Sequence, residues 1–200
     1  MRIILFQILS ALIFQHLLAQ MPSSDFLLDE EWSPQRNILV QHYYIDSLDR
    51  PEIWLIDKQD SSNVFLLDST SWRGTSVIFS PNQVWLAENV EIVSNFREIH
   101  LFKRTQGLHY SEVKDVQIYK KVLKLFAKTE HFRHLGEFGH AMIAVISWLP
   151  DSKAFFLTFD GWDNEQGVTV GDWTCLFDVN SLTPSVDFNK YLHGVIKHHH

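Results

Sequence analysis

The chain has 200 residues, 46% of them hydrophobic, with a formal net charge of −7 and one cysteine. The acidic balance excludes a surface built to hold a phosphate backbone, so nucleic acid is not an expected partner. A lone cysteine excludes an internal disulfide, so stability has to come from a buried core, and the chain is long enough to make one.

Arg2 opens the chain. Ile3 to Leu18 follow almost wholly apolar, broken only by Gln7, Ser10, Gln15 and His16, and Ala19 offers a small residue for cleavage. The run is short for the roughly 20 residues of a membrane span, and Pro22 and Asp25 come soon after. Residues 1–19 are therefore expected to be a signal peptide, although Leu17 is large for its place before the cut. Cleavage takes the formal charge from −7 to −8 and leaves no membrane span. The expected location is secreted or periplasmic. His198, His199 and His200 read as a tag remnant, and residues 20–197 as one β-repeat domain.

The first unit runs from about 26 to 68. Phe26–Trp32, Asn37–Ile45, Glu52–Asp57 and Asn63–Asp68 are strand-like runs separated by turn-like stretches. The second runs from about 75 to 113, with strands expected at Thr75–Phe79, Val84–Val90, Glu98–Lys103 and Leu108–Val113. Thr105-Gln106-Gly107 is the hairpin loop between the last two. The period then changes. Val116, Tyr119, Val122, Leu123 and Phe126 recur at helical spacing, which predicts an amphipathic helix over about 115–132. The third unit runs from about 141 to 192. Its strands are expected at Ala141–Trp148, Lys153–Phe159, Asp172–Asp178 and Ser185–Phe188, with a long middle loop, Gly161–Gly171.

One pattern recurs in all three units. An aromatic residue precedes a proline turn at Trp32-Ser33-Pro34, Phe79-Ser80-Pro81 and Trp148-Leu149-Pro150. A short match follows each: Trp54-Leu55-Ile56-Asp57, His100-Leu101-Phe102-Lys103 and Cys175-Leu176-Phe177-Asp178. The central leucine lies nine residues before the last strand each time, at Val64, Tyr110 and Ser185. Strand-rich repeats at this period predict stacked antiparallel sheets.

Two stretches carry a resemblance to a known family. They are Phe79-Ser80-Pro81-Asn82 with Val84-Trp85-Leu86-Ala87, and Trp148-Leu149-Pro150-Asp151-Ser152 with Ala154-Phe155-Phe156-Leu157. The unit resembles the WD40-like β-propeller repeat of the TolB and prolyl-oligopeptidase-propeller type. The resemblance implies four-stranded blades used as a docking surface or gate, and it carries over no catalytic residue. Three blades depart from the usual four to eight. Two outer faces then need cover: from a second copy across a two-fold axis, from the helix and N-terminal segment acting as caps, or from merging into a sandwich or open barrel. The expected fold class is mainly β, with four-stranded blade-like repeats in a partial propeller or propeller-like sandwich and one inserted helix.

Several residues offer chemistry. His131, His134 and His140, with Glu130 and Glu137, form the densest group of metal-ligand types, but they match no His-Glu-x-x-His motif. Asp160-Gly161-Trp162-Asp163-Asn164-Glu165 is an oxygen-rich stretch with a weak likeness to a calcium loop. Trp72 and Trp162, beside Arg73 and Asp163, fall in loop-like sequence and suit a binding surface. Lys121 and Lys124 belong to the lysine-rich face of the helix and suit an acidic partner. Cys175, between Trp173 and Phe177, reads as a buried apolar residue. No Gly-x-Ser-x-Gly elbow occurs. The reading is an exported, non-enzymatic module that binds a protein or envelope component and needs no cofactor. Two alternatives stay open: a metal-dependent hydrolase using His131, His134 and His140, and a structural homo-oligomer such as a homodimer.

Overall fold

The structure is a computed structural model and describes residues 21–45, 50–69, 75–130, 140–163 and 167–189. Three proline turns set its architecture. The amides of Arg36, Gln83 and Ser152 donate to the carbonyls of Ser33, Ser80 and Leu149 at 2.8, 2.8 and 2.9 Å. The amides of Ser33, Ser80 and Leu149 in turn donate to Ile38, Trp85 and Ala154, each at 2.9 Å. Arg36, Gln83 and Ser152 sit at φ 54°, 55° and 61°. A β-turn followed by a left-handed residue reverses the chain into the next strand, and proline presets the first corner.

A second bond recurs with the same spacing. Lys58, Arg104 and Val179 donate their amides to Asn37, Val84 and Lys153 at 3.0, 2.8 and 3.0 Å. The repeat is thus present in the hydrogen bonding as well as in the spelling.

Among the described residues, twelve strands follow from these turns. The first sheet is β1 (Leu27–Trp32), β2 (Ile38–Ile45), β3 (Arg50–Asp57) and β4 (Val64–Asp68), paired in chain order. The second unit pairs β5 (Thr75–Phe79), β6 (Trp85–Val93), β7 (Phe96–Gln106) and β8 (His109–Glu112) in the same way. The third pairs β9 (His140–Trp148), β10 (Ala154–Asp163), β11 (Val168–Asp178) and β12 (Thr183–Ser185). All these pairings are antiparallel. A short parallel pairing of Phe96 with Ala141 and Arg97 with Met142 joins the second and third units into one eight-stranded sheet.

The two-residue period of a strand then assigns faces. Leu55 packs in the seam between the first two units, Leu101 in the seam between the second and third, and Leu176 on the outer face of the third. The aromatic residues before the turns point the other way: Phe79 enters the first seam and Trp148 the second. Phe155, Phe159 and Phe177 fill the second seam completely buried.

The turns also interlock. Gln83 Nε2 donates to Ser33 Oγ at 3.2 Å and to Asn37 Oδ1 at 2.8 Å. Ser152 Oγ accepts from the Asn82 amide at 3.1 Å. The left-handed residue of each later unit therefore reaches the turn of the unit before it. Arg36 holds that place in the first unit and is exposed. Trp32, before the first turn, is 48% exposed, with the Lys58 ammonium 5.8 Å from its ring centroid.

Residues that flank the three units cover the outer faces. Met21 and Leu27 pack with Tyr43, Ile45 and Trp54 on the first unit. Phe188 lies against Phe156 over Leu149, Ala154 and Leu176 on the third. Covering end faces is what capping units do in repeat proteins. The helix α1 (Ile118–Thr129) is shorter than its sequence signal and buries Ile118, Val122 and Phe126 in the second seam. Phe126 meets the edges of Phe159 and Trp173, each at 5.3 Å.

The expected loop Gly161–Gly171 needs correction. Gly161, Trp162 and Asp163 pair with Val170, Thr169 and Val168, so both strands run on past a bulge. Ladder pairing overrides the weak strand propensity of Gly and Asp there. Asp160 accepts from the Asp172 amide at 2.7 Å, a contact between the two strands. β12 also ends earlier than expected, at Ser185.

Candidate functional site

The second unit is covered on both faces. Every residue from Trp85 to Val90 is consequently buried, including one acid, Glu88. Its side chain is 0% exposed. Glu88 on β6 stands directly across from His100 on β7. Asp68, the last residue of β4, joins them from the first unit. One ligand atom from each of the three lies within 4.8 Å of the others.

The electrostatics of this group are unusual. Neither carboxylate oxygen of Glu88 receives a hydrogen bond among the described residues. His100 Nδ1 is 3.8 Å from Glu88 Oε2, too far for one. Burial pushes the Glu88 carboxyl up to about 9, and the negative charge of Asp68 acts in the same direction. Asp68 is also an acceptor that only protonated Glu88 can use, and Glu112 adds further negative charge. A buried carboxylate costs several kcal/mol in real proteins unless something pairs it. Both effects favour the neutral form of Glu88.

The repeat supplies an internal control. Counting seven residues from each turn proline gives Gln41, Glu88 and Leu157. Their cross-strand partners are Trp54, His100 and Cys175. In the second seam this position is filled by Leu157 and Cys175, both 0% exposed. Burial raises the Cys175 thiol to about 12, so it is an inert apolar filler. The fold accepts a leucine and a cysteine at this place; the first seam has an acid and an imidazole instead.

The residues singled out from sequence are spread over other places. His131 and His134 lie outside the described residues, as do Trp72 and Arg73 in the link between β4 and β5. His140 begins β9 and stacks on Trp162 of β10, with ring centroids 3.8 Å apart and planes 6° apart. Trp162 is 42% exposed. Asp163 ends β10. The Lys121 ammonium donates to the Leu182 carbonyl at 2.8 Å, tying the helix to the turn before β12. Lys124 is exposed on the helix.

Glu88 and His100 had a signal in the sequence. The run Val84-Trp85-Leu86-Ala87-Glu88-Asn89-Val90 is apolar around its acid, and repeat alignment sets that acid against Leu157. Asp68 carries no such mark, because its role depends on how one sheet packs on the next. Asn89, the other buried polar residue of this run, has an ordinary explanation. Its side chain bonds both ways with the Val145 backbone, at 2.7 and 3.2 Å, and so joins the second unit to the third.

The class this architecture defines is a mainly β protein of stacked, blade-like four-stranded units, with one α-helix among the described residues and, in a seam, a carboxyl–imidazole group whose Glu88 is buried. No protein-family model matches the chain, and no curated protein matches it in sequence. Among solved structures, it is similar to the crystal structure of TolB from Acinetobacter baumannii and to the β-propeller domain of the Trilobed protease from Pyrococcus furiosus. Each is 12% identical at a TM-score of 0.40, over 80% of this chain and 42% of the other. The chain thus spans about two-fifths of the length of those structures. Among the described residues no helix is long and apolar enough to cross a membrane.

Proposed function

We propose that this protein is an exported, non-catalytic binding module. It docks a protein or envelope partner at the end of the stack opposite the proline turns. One observation carries the reading: the Trp162 indole, 42% exposed, lies flat on His140 at that end. Val93, 48% exposed, lies on the adjoining β6–β7 hairpin, whose Phe96 pairs with Ala141 beside His140. A rigid, half-exposed indole supplies contact area at low entropy cost, which is why tryptophan anchors interfaces. Lys124 offers a cation on the helix; Trp72, Arg73 and Asp163 are proposed as binding residues from their sequence alone. Export rests on residues 1–19.

The test places a photo-crosslinking amino acid at position 162 and, as a control at the other end, at the exposed Asp151. In the native cells, a discrete adduct from position 162 and none from 151 supports the reading. No adduct from 162, or equal labelling from both, overturns it. N-terminal sequencing of the protein from those cells is expected to begin at Gln20, and a retained Met1 removes the export part.

A further inference from the structure

We infer that Asp68, Glu88 and His100 form a binding site for a divalent transition-metal cation of the zinc or manganese class, held between the first and second units. The argument begins with what the group lacks. Glu88 is fully buried and neither of its oxygens has a hydrogen bond among the described residues, yet one ligand atom each of Asp68 and His100 lies within 4.8 Å of it. Two carboxylates brought together in a seam need a shared proton or a cation between them. A cation can take one ligand atom from each of the three side chains at once, whereas a proton is shared only by the acids.

The geometry has room for an ion with small side-chain rotations. Three atoms no more than 4.8 Å apart share a centre within about 2.8 Å of each, against metal bonds of roughly 2.0–2.2 Å for these ligand types. The ligand chemistry narrows the class. An imidazole with two carboxylates suits zinc, manganese or ferrous iron, whereas calcium and magnesium favour all-oxygen shells.

The repeat adds an independent argument. At the same two positions of the second seam the chain has Leu157 and Cys175 in cross-strand register, fully buried and without polar need. Packing alone therefore does not call for Glu88 and His100. The ligands also come from two units, β4 on one side and β6 and β7 on the other. The bound cation clips the first unit to the second.

The test is thermal unfolding of the full chain with EDTA, Zn²⁺, Mn²⁺ or Ca²⁺, beside Glu88→Gln and His100→Gln. Equilibrium dialysis counts bound Zn²⁺, and circular dichroism in EDTA confirms that each variant folds. The other histidines are common to all the proteins, so the differences isolate the site. The wild type is expected to gain roughly 5–10 °C in Tm at a free metal concentration about a hundredfold above Kd. It is also expected to bind one Zn²⁺ more than either variant. Both variants are expected to lose the gain. Three results each overturn the proposal: no Tm rise with Zn²⁺ or Mn²⁺, an equal rise with Ca²⁺, or unchanged stoichiometry and Tm gain in Glu88→Gln. Crosslinking from position 162 is read separately, so this site and the docking surface fail independently.

Discussion

The two seams of this molecule have the same backbone plan and opposite chemistry. Both lie between four-stranded units joined by interlocked proline turns. In the second, Leu157 and Cys175 face each other across a cross-strand pair and vanish into the core with Phe155, Phe159 and Phe177. In the first, Glu88 and His100 take those two positions, and Asp68 closes on them from the neighbouring sheet. The contrast separates what the fold requires from what it tolerates. A stacked repeat needs apolar volume at this place, and the second seam supplies it. An acid fully buried at the same place marks a different demand, because an uncompensated carboxylate there is costly.

The largest effect should come from imposing the first seam's chemistry on the second. Leu157→Glu buries an acid with no second carboxylate or imidazole in register, and it displaces a side chain that is 0% exposed. The expected loss is at least about 3 kcal/mol, read from urea unfolding. A variant as stable as the wild type would mean that the two seams are electrostatically equivalent.

A smaller effect should come from proton linkage at Glu88 in the metal-free protein. Its folded pKa, about 9, lies above the ordinary 4.5, so the native state holds a proton that the unfolded state has released. Stability is therefore full below about 4.5 and falls as pH rises toward 9. The slope approaches one proton, about 1.4 kcal/mol per pH unit. The reverse exchange, Glu88→Leu with His100→Cys, transplants the second seam's pair into the first. It should flatten this dependence and stabilise the metal-free protein by about 1–4 kcal/mol. Unfolding across pH 5 to 9 in EDTA checks both statements, and an unchanged slope in the double variant would assign the titration elsewhere.

The smallest effect concerns the turns. Gln83 and Ser152 hold strained left-handed backbones and make inter-unit bonds, whereas Arg36 holds the same backbone and is exposed. Arg36→Gly should relieve strain and raise stability by about 0.5–1 kcal/mol. Gln83→Gly should show no such gain, because it also removes bonds to Ser33 and Asn37. Equal changes at both positions would remove the distinction between the leading unit and the later ones.

Much of the architecture was legible from local signals. The proline turns, the strands that follow and the helical period between the second and third units are properties of a few adjacent residues, and the structure has the expected fold class. Longer-range features were less visible. The strands through Gly161 to Asp163 escaped notice because a partner strand, not their own propensity, holds them extended. Trp32 is spelled like Phe79 and Trp148 but is 48% exposed, because among the described residues no other unit packs on it. Among the site residues, Glu88 had a signal in its apolar run, His100 had one only through the repeat, and Asp68 had none.

By itself the sequence determined the repeating unit, because turn geometry and strand periodicity act over a handful of bonds. Only the tertiary structure decided which faces meet. It put the second unit between the other two, so that Glu88 on its inner strand is cut off from water. It also brought the end of β4 against β6 and β7, which no spacing along the chain announces. Local stereochemistry writes the units; the packing of one sheet on another creates the buried charge.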